Sequence, residues 1–501
     1  MRSAWAKTAR QIGRRPGIGA GIGKNCRATG RYCGHGMNKS EQSIPVTIAY
    51  IGGGSLNWAP KLMADLAQDQ RLSADIRLYD LDLAAAQRNL ALGEAFAKVS
   101  TGTPPCYKAV ASLAEALSGA DLVIVSILPG RFEDMAQDIG IPARYGIPQA
   151  VGDTVGPGGF VRAMRAIPML YEIGQAIAAY APTAYVCNLT NPMSVLTGAL
   201  FRAFPGIKAW GECHEVTKLR KQVAWIANRE AGEPLWTHRD VQVSVTGINH
   251  FTFVNQISLA GRDMLPAYAA FAEEFREKGW IEIEPAPADE HERYFSDRSR
   301  VKFDLYRRFG IPGAAGDRHL VEFLPASEYL HDPAAWDFGL TPVEYRRRYQ
   351  EEKRQAAMDL IEGRRPPQPE RSDEALVDQI AALLSGAPYI SNVNLPNQGQ
   401  MPDLPQGAIV ETNALFSGLG ITPMTTQPLP PALAEIIQDH SARQTALLDA
   451  VIQETPAALF PLFKRDPLVA PLPEPQARAL FAEMIEATRA WIPDTLTKGA
   501  A

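Results

Sequence analysis

The chain has 501 residues, more than one ordinary hydrophobic core accommodates, so at least two subdomains are expected. Hydrophobic residues make up 46% of the sequence and charged residues 21%, which is typical of a globular protein. A net charge of -5 excludes a broad basic surface for nucleic acid, and no apolar run reaches the ~20 residues of a membrane-spanning helix.

The first 44 residues differ from the rest of the chain in charge. Residues 1–39 contain nine Lys or Arg and no acidic residue, and Glu41 is the first carboxylate. A targeting peptide and a nucleic-acid-binding arm are both compatible with such a segment. Because the first convincing strand begins at Val46, we favour a basic extension that is disordered or that precedes a true start at Met37. The fold is therefore predicted from residue 45 onward.

Strands and helices alternate from residue 45 to residue 215. The predicted strands span 46–51, 76–79, 107–110, 122–127 and 184–188, and the predicted helices span 57–70, 83–99, 113–117 and 161–180. A chain that alternates in this way forms a doubly wound parallel sheet with helices on both faces. This part is predicted to be an α/β domain of the Rossmann type.

The pattern changes in residues 216–501. Two predicted strands, 241–245 and 251–258, flank a turn at 247–250. The other predicted elements are helices at 266–278, 301–309, 344–362, 372–385, 431–453 and 475–491. This part is predicted to be a mixed α+β domain for substrate binding and oligomerisation.

A glycine turn joins the first predicted strand to the first predicted helix. The turn consists of Gly52, Gly53, Gly54 and Ser55. Glycine lets the backbone approach a pyrophosphate, and the following helix N-terminus offers free N–H groups. Asp80 ends the second strand, where a carboxylate accepts hydrogen bonds from the adenosine ribose and repels a 2′-phosphate, so NAD is favoured over NADP. A plain tight turn, with Asp80 capping the next helix, is the alternative.

Several short motifs follow in a fixed order. They are Gly-Pro-Gly-Gly-Phe at 156–160, Asn-Pro-Met at 191–193, Cys-His at 213–214, Gly-Ile-Asn-His at 247–250 and Pro-Asn at 396–397. Together with the glycine turn, this ordered set resembles glycoside hydrolase family 4 over about residues 45 to 455. Lactate and malate dehydrogenases share the expected fold but lack this set of motifs.

The resemblance implies an unusual hydrolysis that depends on NAD and a divalent metal, commonly Mn²⁺. The sugar is oxidised at C3, a base removes the C2 proton, the glycosidic oxygen is eliminated, water adds and C3 is reduced again. By this resemblance Cys213 and His250 are metal ligands, a pair that leaves open positions for two sugar oxygens. The alternatives are a buried thiol at Cys213 and a hydrogen-bonded core histidine at His250.

The resemblance also implies roles for other residues. Asn191 matches a residue that binds the sugar beside the nicotinamide, although an Asn before Pro also forms turns. The base of the family lies on a helix after the histidine ligand, where Asp304 is the best match and Tyr306 the second, and an ordinary solvated helix face is the alternative. The general acid is expected next to Cys213, with His214 and Glu215 as candidates.

The sugar is predicted from residues 213–216, Cys-His-Glu-Val, which resemble the α-galacturonidases of the family. A uronate carboxylate needs a cationic partner, for which Arg318 is the candidate, although it could equally be an ordinary surface arginine. The alternatives are a family 4 enzyme for glucuronides, glucosides, galactosides or phosphoglycosides, a hydroxy-acid or sugar dehydrogenase, and an NAD-binding sensor. Five sparse cysteines favour a reducing cytoplasm, and the resemblance implies a homodimer or homotetramer.

Overall fold

A nine-stranded sheet organises the residues that the computed structural model describes, which are 43–281, 294–295 and 297–498. The strand order is β12-β11-β10-β6-β5-β4-β1-β2-β3. The described residues form a single compact unit. Almost all of the predicted basic extension, residues 1–42, lies outside the described residues.

Six neighbouring strands are parallel and come from the first half of the chain. They are β1 (Ile44–Ile51), β2 (Leu72–Tyr79), β3 (Cys106–Val110), β4 (Leu122–Val125), β5 (Tyr185–Asn188) and β6 (Lys208–Gly211). Their order, 3-2-1-4-5-6, is that of a dinucleotide-binding fold. The predicted doubly wound parallel sheet is therefore confirmed.

Both faces of this sheet are covered by apolar layers. In β1, Ile48 and Tyr50 pack in one buried cluster, whereas Ala49 and Ile51 pack in another. Strands buried on both faces have nearly continuous apolar sequences, as Leu-Val-Ile-Val in β4 shows. The helices of the first half are α1 (Trp58–Gln68), α2 (Leu83–Ala97), α3 (Leu113–Leu117), α4 (Phe132–Arg144), α5 (Gly156–Tyr180), α6 (Met193–Ala203) and α7 (Thr217–Ala231).

The second half contributes helices and a small antiparallel sheet of β7 (Val241–Ile248), β8 (Phe251–Leu259) and β9 (Arg262–Asp263). Its helices are α8 (Leu265–Phe275), α9 (Arg300–Phe309), α10 (Asp317–Leu320), α11 (Val343–Ile361), α12 (Leu376–Ser385), α13 (Pro431–Ile452), α14 (Leu459–Lys464), α15 (Glu474–Thr488) and α16 (Asp494–Thr497). Short 3₁₀ turns span His238–Asp240, Val321–Phe323 and Pro456–Ala458.

Three antiparallel strands that the sequence pattern did not predict extend the main sheet. They are β10 (Tyr389–Pro396), β11 (Ile409–Ser417) and β12 (Gly420–Pro423). Strand β10 was not predicted because Asn392 and Asn394 interrupt its apolar pattern. Both residues are buried, and both donate hydrogen bonds to the Glu411 carboxylate of β11. The main sheet therefore contains strands from both sides of the predicted domain boundary at residues 215 and 216. The division of the chain into two domains stays a prediction.

The fold brings part of the predicted site to the carboxyl ends of the parallel strands, where ligands bind in open α/β sheets. The glycine turn follows β1 directly, Asn191 follows β5, and Cys213 follows β6. The turn between β7 and β8 carries His250. Among the described residues, no helix is long and apolar enough to cross a membrane.

A buried histidine on α13 makes the stability of the fold depend on pH. His440 is 2% exposed, its Nε2 lies 2.8 Å from the Phe323 carbonyl oxygen, and its Nδ1 lies 2.7 Å from Nη2 of Arg443. A neutral ring satisfies both contacts by donating through Nε2 and accepting through Nδ1. Burial and the charge of Arg443 lower the pKa of His440 to about 4.

We expect this histidine to destabilise the fold in acid. Because its folded pKa lies below the unfolded value of about 6.5, its contribution is complete above pH 6.5 and falls as pH drops towards 4, by about 3 kcal/mol. Denaturant unfolding of wild type and of His440→Gln at pH 7, 5.5 and 4.5 measures how steeply the free energy of unfolding of each protein falls with pH. Equal loss of stability in both proteins would contradict a buried neutral histidine.

Candidate active site

The glycine turn has no room for side chains. The N–H groups of Gly52 and Gly53 both donate to the Tyr79 carbonyl oxygen, at 2.9 and 2.8 Å. Gly52 has a φ of +89°, and a Cβ there would lie 2.0 Å from the Ser126 carbonyl oxygen. Ser55 accepts a hydrogen bond from the Trp58 N–H at the start of α1. The turn is thus held tightly against the ends of β2 and β4.

Asp80 faces this turn rather than the following helix. Its Oδ2 accepts from the Gly54 N–H at 2.9 Å, and its Oδ1 accepts from the Asp82 N–H at 2.9 Å. Asp82, not Asp80, caps α2 by accepting from Ala84 and Ala85. The alternative role of Asp80 as a helix cap is therefore wrong, and its place beside the glycines suits a dinucleotide.

Basic side chains surround the same turn. Arg88 donates from Nη2 to the Gly54 carbonyl oxygen at 2.7 Å, while its Nε is buried without a hydrogen-bond partner. Lys353 of α11 donates to Oδ1 of Asn57 at 2.6 Å, immediately before α1. Burial lowers the pKa of Lys353 to about 8, and the charge of Lys61 acts in the same direction. An unpartnered guanidinium N–H and a tight glycine turn fit a pyrophosphate.

Three side chains form the one group among the described residues that could hold a metal ion, and this group is called the metal-ligating group below. Asp153, His250 and His319 place one ligand atom each within 4.8 Å of one another. Asp153 lies three residues before α5, His250 lies in the β7–β8 turn with a φ of +66°, and His319 belongs to α10. One carboxylate and two imidazoles are suitable ligands for Mn²⁺ and similar divalent ions.

Neighbouring groups orient these ligands. Nδ1 of His250 lies 2.7 Å from the Thr154 hydroxyl oxygen, which directs its Nε2 away from that contact. Nδ1 of His319 is buried without a partner, and its Nε2 lies 3.4 Å from a Glu215 oxygen. Supporting hydrogen bonds to one ring nitrogen, with the other nitrogen available, are usual at metal sites. The donor set therefore fits a metal.

Electrostatics in this group favour ionised acids and a neutral His250. Burial raises the pKa of Asp153, but the charges of His250 and Arg162 outweigh it and lower the value to about 2. Burial and the charge of His319 lower the pKa of His250 to about 3. Burial lowers the pKa of His319, but the charge and hydrogen bond of Glu215 produce a net rise.

Asn191 lies next to the metal-ligating group. Its Nδ2 is 3.5 Å from Oδ2 of Asp153, and its Oδ1 is buried without a partner. Arg162 of α5 donates from Nε to the Asn191 carbonyl oxygen at 3.1 Å. An unpartnered amide oxygen at this position can accept a hydrogen bond from a sugar hydroxyl.

Cys213 is buried close to this group but is not one of the three residues. Its carbonyl oxygen accepts from Asn392, and its thiol contacts the side chain of Asn249, the neighbour of His250. Burial and the charges of Glu411 and Glu215 raise the pKa of the Cys213 thiol well above its usual range. A bound cation would favour the thiolate, so metal ligation by Cys213 remains a prediction.

The two candidates for the general acid differ in their contacts. Glu215 accepts from the Gly316 N–H at 3.0 Å and approaches His319. Burial raises its pKa, but His319 and the other nearby imidazoles outweigh burial and hold the pKa well below its usual range. His214 is 43% exposed, packs against the Trp58 ring and lies 3.6 Å from a Glu374 oxygen. The open ring of His214 suits contact with a leaving group better.

The two candidates for the base are not brought to the metal-ligating group. Asp304 accepts from the Tyr329 hydroxyl at 2.8 Å and from Arg307 at 2.9 Å. The Tyr306 ring packs edge-on against Tyr268. The same helix, α9, instead turns Lys302 inward, where its buried Nζ donates to the Ala314 carbonyl oxygen at 3.4 Å. The predicted base role of Asp304 or Tyr306 has no supporting contact here.

Arg318 is buried rather than on the surface. Its Nε donates to the Gly339 carbonyl oxygen at 3.0 Å, and its Nη2 donates to the Ala150 carbonyl oxygen and the Thr341 hydroxyl. The ordinary surface arginine considered as the alternative is therefore wrong. These bonds fix the residue that precedes His319 in α10.

The sequence analysis did not identify Asp153 and His319. Asp153 lies three residues before the Gly-Pro-Gly-Gly-Phe motif, and His319 follows Arg318 in a segment already considered for substrate binding. Both are single polar residues with ordinary sequence neighbours. Only their approach to His250, 97 and 69 residues away along the chain, reveals them.

Comparisons with known proteins agree on one family. A sequence model described as "Family 4 glycosyl hydrolase" matches residues 47–228, and one for the C-terminal domain of that family matches residues 245–469. The α-galacturonidase of Bacillus subtilis strain 168 is 43% identical over 88% of this chain and 97% of its own length. The α-galacturonidase of Thermoanaerobacter italicus is 40% identical over 89% of this chain and 97% of its own length.

Solved structures give the same result for the fold. The structure called putative glucosidase lplD from Bacillus subtilis is 42% identical, with a TM-score of 0.83 over 88% of this chain and 100% of that chain. A 6-phospho-α-glucosidase from gut microorganisms, in complex with NAD and Mn²⁺, has a TM-score of 0.75 over 90% of this chain and 99% of that chain. At 18% identity, the second likeness concerns the fold alone.

Proposed function

The chain belongs to family 4 of the glycosyl hydrolases, and we propose that it is an α-galacturonidase that works with NAD and a divalent metal. The observation that carries this proposal is the group of Asp153, His250 and His319 beside Asn191, at the carboxyl ends of strands that also hold the glycine turn. Four relatives at 40–43% identity are named α-galacturonidases, which supports the sugar.

When bound, NAD would supply a reversible hydride acceptor for the sugar, and a divalent metal would supply positive charge that stabilises a sugar oxyanion. Asp153, His250 and His319 would hold the metal, with Cys213 as a further ligand. Asn191 would orient the sugar through its free Oδ1. The glycine turn, Asp80 and Arg88 would hold the dinucleotide. The few cysteines support a cytoplasmic enzyme, and a homodimer or homotetramer is proposed by analogy with the family.

The test is hydrolysis of a panel of 4-nitrophenyl α-glycosides by purified protein with NAD and Mn²⁺. We expect 4-nitrophenol release from the galacturonide, no net accumulation of NADH, and loss of activity on chelation or removal of NAD. Cleavage of only a glucuronide, galactoside or phosphoglycoside would assign another activity within the family. Stoichiometric NADH from a free sugar acid would instead indicate a dehydrogenase.

His214 is proposed as the general acid on the basis of its exposed ring. If it protonates the leaving oxygen, His214→Gln should slow cleavage of methyl α-galacturonide by about 100-fold or more, because methoxide leaves poorly without a proton. Cleavage of the 4-nitrophenyl galacturonide should change by less than about threefold, since nitrophenolate leaves unaided. Equal losses with both substrates would contradict this role, and would point to a role in binding.

A further inference from the structure

We infer that Arg346 of α11 is the residue that binds the substrate carboxylate and thereby selects uronides over neutral hexosides. This inference deepens the proposed function and rests on it. A uronide differs from the corresponding hexoside only at C6, where a carboxylate replaces a hydroxymethyl group. Selection between them therefore requires a cation whose N–H groups are available to the carboxylate.

In Arg318, the arginine that the sequence indicated, Nε and Nη2 already donate hydrogen bonds within the protein. Its Nε and Nη2 donate to the carbonyl oxygens of Gly339 and Ala150, and Nη2 also contacts Thr341. A paired interaction with a carboxylate needs two parallel N–H groups from one guanidinium. Arg318 would have to break at least one of these bonds to offer such a pair.

Arg346 packs on the same aromatic ring as Arg318. The central guanidinium carbons of Arg318 and Arg346 lie 5.0 and 5.5 Å from the centroid of Phe295. Such stacking fixes the plane of a guanidinium and leaves its edge open for a carboxylate. The two arginines are therefore neighbours, and Arg346 is oriented although it makes no side-chain hydrogen bond to a described residue.

One donor of Arg346 lacks a partner. Its Nε is buried without a hydrogen-bond partner. A partly buried guanidinium that has lost water without gaining an anion is costly, unless a ligand supplies the anion. Burial lowers the pKa of Arg346 to about 10, so the group is still protonated near neutral pH.

Arg346 also lies near the metal-ligating group, because it shares the Phe295 ring with Arg318, the residue that precedes His319 in α10. The charge of Asp153 raises the pKa of Arg346 against the effect of burial, so Arg346 is within electrostatic reach of the metal-ligating group. In a pyranose, the C2 and C3 oxygens and the C6 carboxylate lie at opposite edges of the ring. A sugar with its C2 and C3 oxygens at Asp153 and His250 could thus extend its carboxylate to Arg346.

The other nearby arginine with an open donor is a weaker candidate. Arg162 has a buried Nη1 without a partner, but its Nε donates to the Asn191 carbonyl oxygen. That contact places Arg162 beside the residue proposed for the C2 and C3 side of the sugar. Arg346 has no such bond to the proposed sugar-binding residues.

The experiment compares wild type with Arg346→Met and Arg346→Lys in the presence of NAD and Mn²⁺. Calorimetry measures the Kd of D-galacturonate and of D-galactose, and the 4-nitrophenyl galacturonide assay separates kcat from KM. Arg347→Met is the matched control, because Arg347 lies on the same helix, is 39% exposed and pairs with Glu133. Thermal unfolding and NAD affinity check that each variant folds.

We expect Arg346→Met to weaken D-galacturonate binding by about 100-fold, to nearly the affinity of D-galactose, with NAD affinity unchanged. Arg346→Lys should recover part of this loss, and Arg347→Met should change nothing by more than about twofold. An active wild type whose Arg346→Met variant keeps its preference for galacturonate would overturn the inference alone. A wild type that neither cleaves the galacturonide nor prefers galacturonate to galactose would overturn the proposed function and the inference with it.

Discussion

Replacing His250 with alanine should lower turnover at saturating substrate by about 1,000-fold or more, while NAD affinity stays within about twofold of wild type. His250 is central to the metal-ligating group, since its ring lies 3.8 Å from that of His319 and its Nδ1 is fixed by Thr154. Loss of a supporting partner of a metal ligand alone costs 10–100-fold, so loss of a ligand should cost more. The dinucleotide is proposed to be held by other residues, those around Gly52.

The matched control is His331→Ala, because His331 is exposed. Thr154→Val should give an intermediate loss of about 10–100-fold, since it removes the support but keeps the imidazole. Metal analysis of each variant, together with NAD titration by fluorescence, separates the two cofactors. Cys213→Ser tests the other predicted ligand in the same assay. Full metal content and near-normal turnover in His250→Ala would exclude it as a ligand.

Hydrolysis in deuterated water should place deuterium at C2 of essentially every product molecule. Oxidation at C3 makes the C2 proton acidic, and a base that exchanges with solvent then returns deuterium to the same carbon. Paired carboxylates that displace the leaving group directly at C1 break no bond at C2, so they predict no exchange. Mass spectrometry and proton NMR of the released galacturonate measure the label.

The same measurement tests the predicted base. Asp304→Asn must suppress exchange and turnover together if Asp304 removes the C2 proton, because an amide is not a base at neutral pH. Asp332→Asn is the control, since Asp332 is exposed and its Oδ1 accepts a backbone hydrogen bond. A product that is free of deuterium at C2 after complete turnover by wild type would exclude the redox mechanism.

The sequence predicted the first half of the fold well because its periodicity is regular there. The predicted strand 122–127 corresponds to β4, and the predicted helix 83–99 corresponds to α2. The predictions failed in β10, where Asn392 and Asn394 interrupt the apolar pattern. Those amides are tolerated inside the sheet only because Glu411 accepts their hydrogen bonds, a partnership between residues on different strands.

The site was predicted less completely for a related reason. Motifs identified the glycine turn, Asn191 and His250, because each lies within a recognisable short segment. Asp153 and His319 lie in segments where a single acid or imidazole carries no pattern, and only the fold brings them to His250. The same applies to Arg346, whose significance depends on Phe295, 51 positions earlier, and on the bonds that already occupy Arg318.

The continuous sheet has a consequence for cooperativity. Strand β10 pairs with β6, and the apolar cluster on that face combines Tyr50 and Trp210 from the first half with Val393 and Phe416 from the second. Neither half alone can bury this cluster from water. The two halves should therefore unfold together in one cooperative transition rather than in successive steps. A rigid-body opening between the halves would break the pairing of β10 with β6, so we expect the two halves to stay joined when substrate binds.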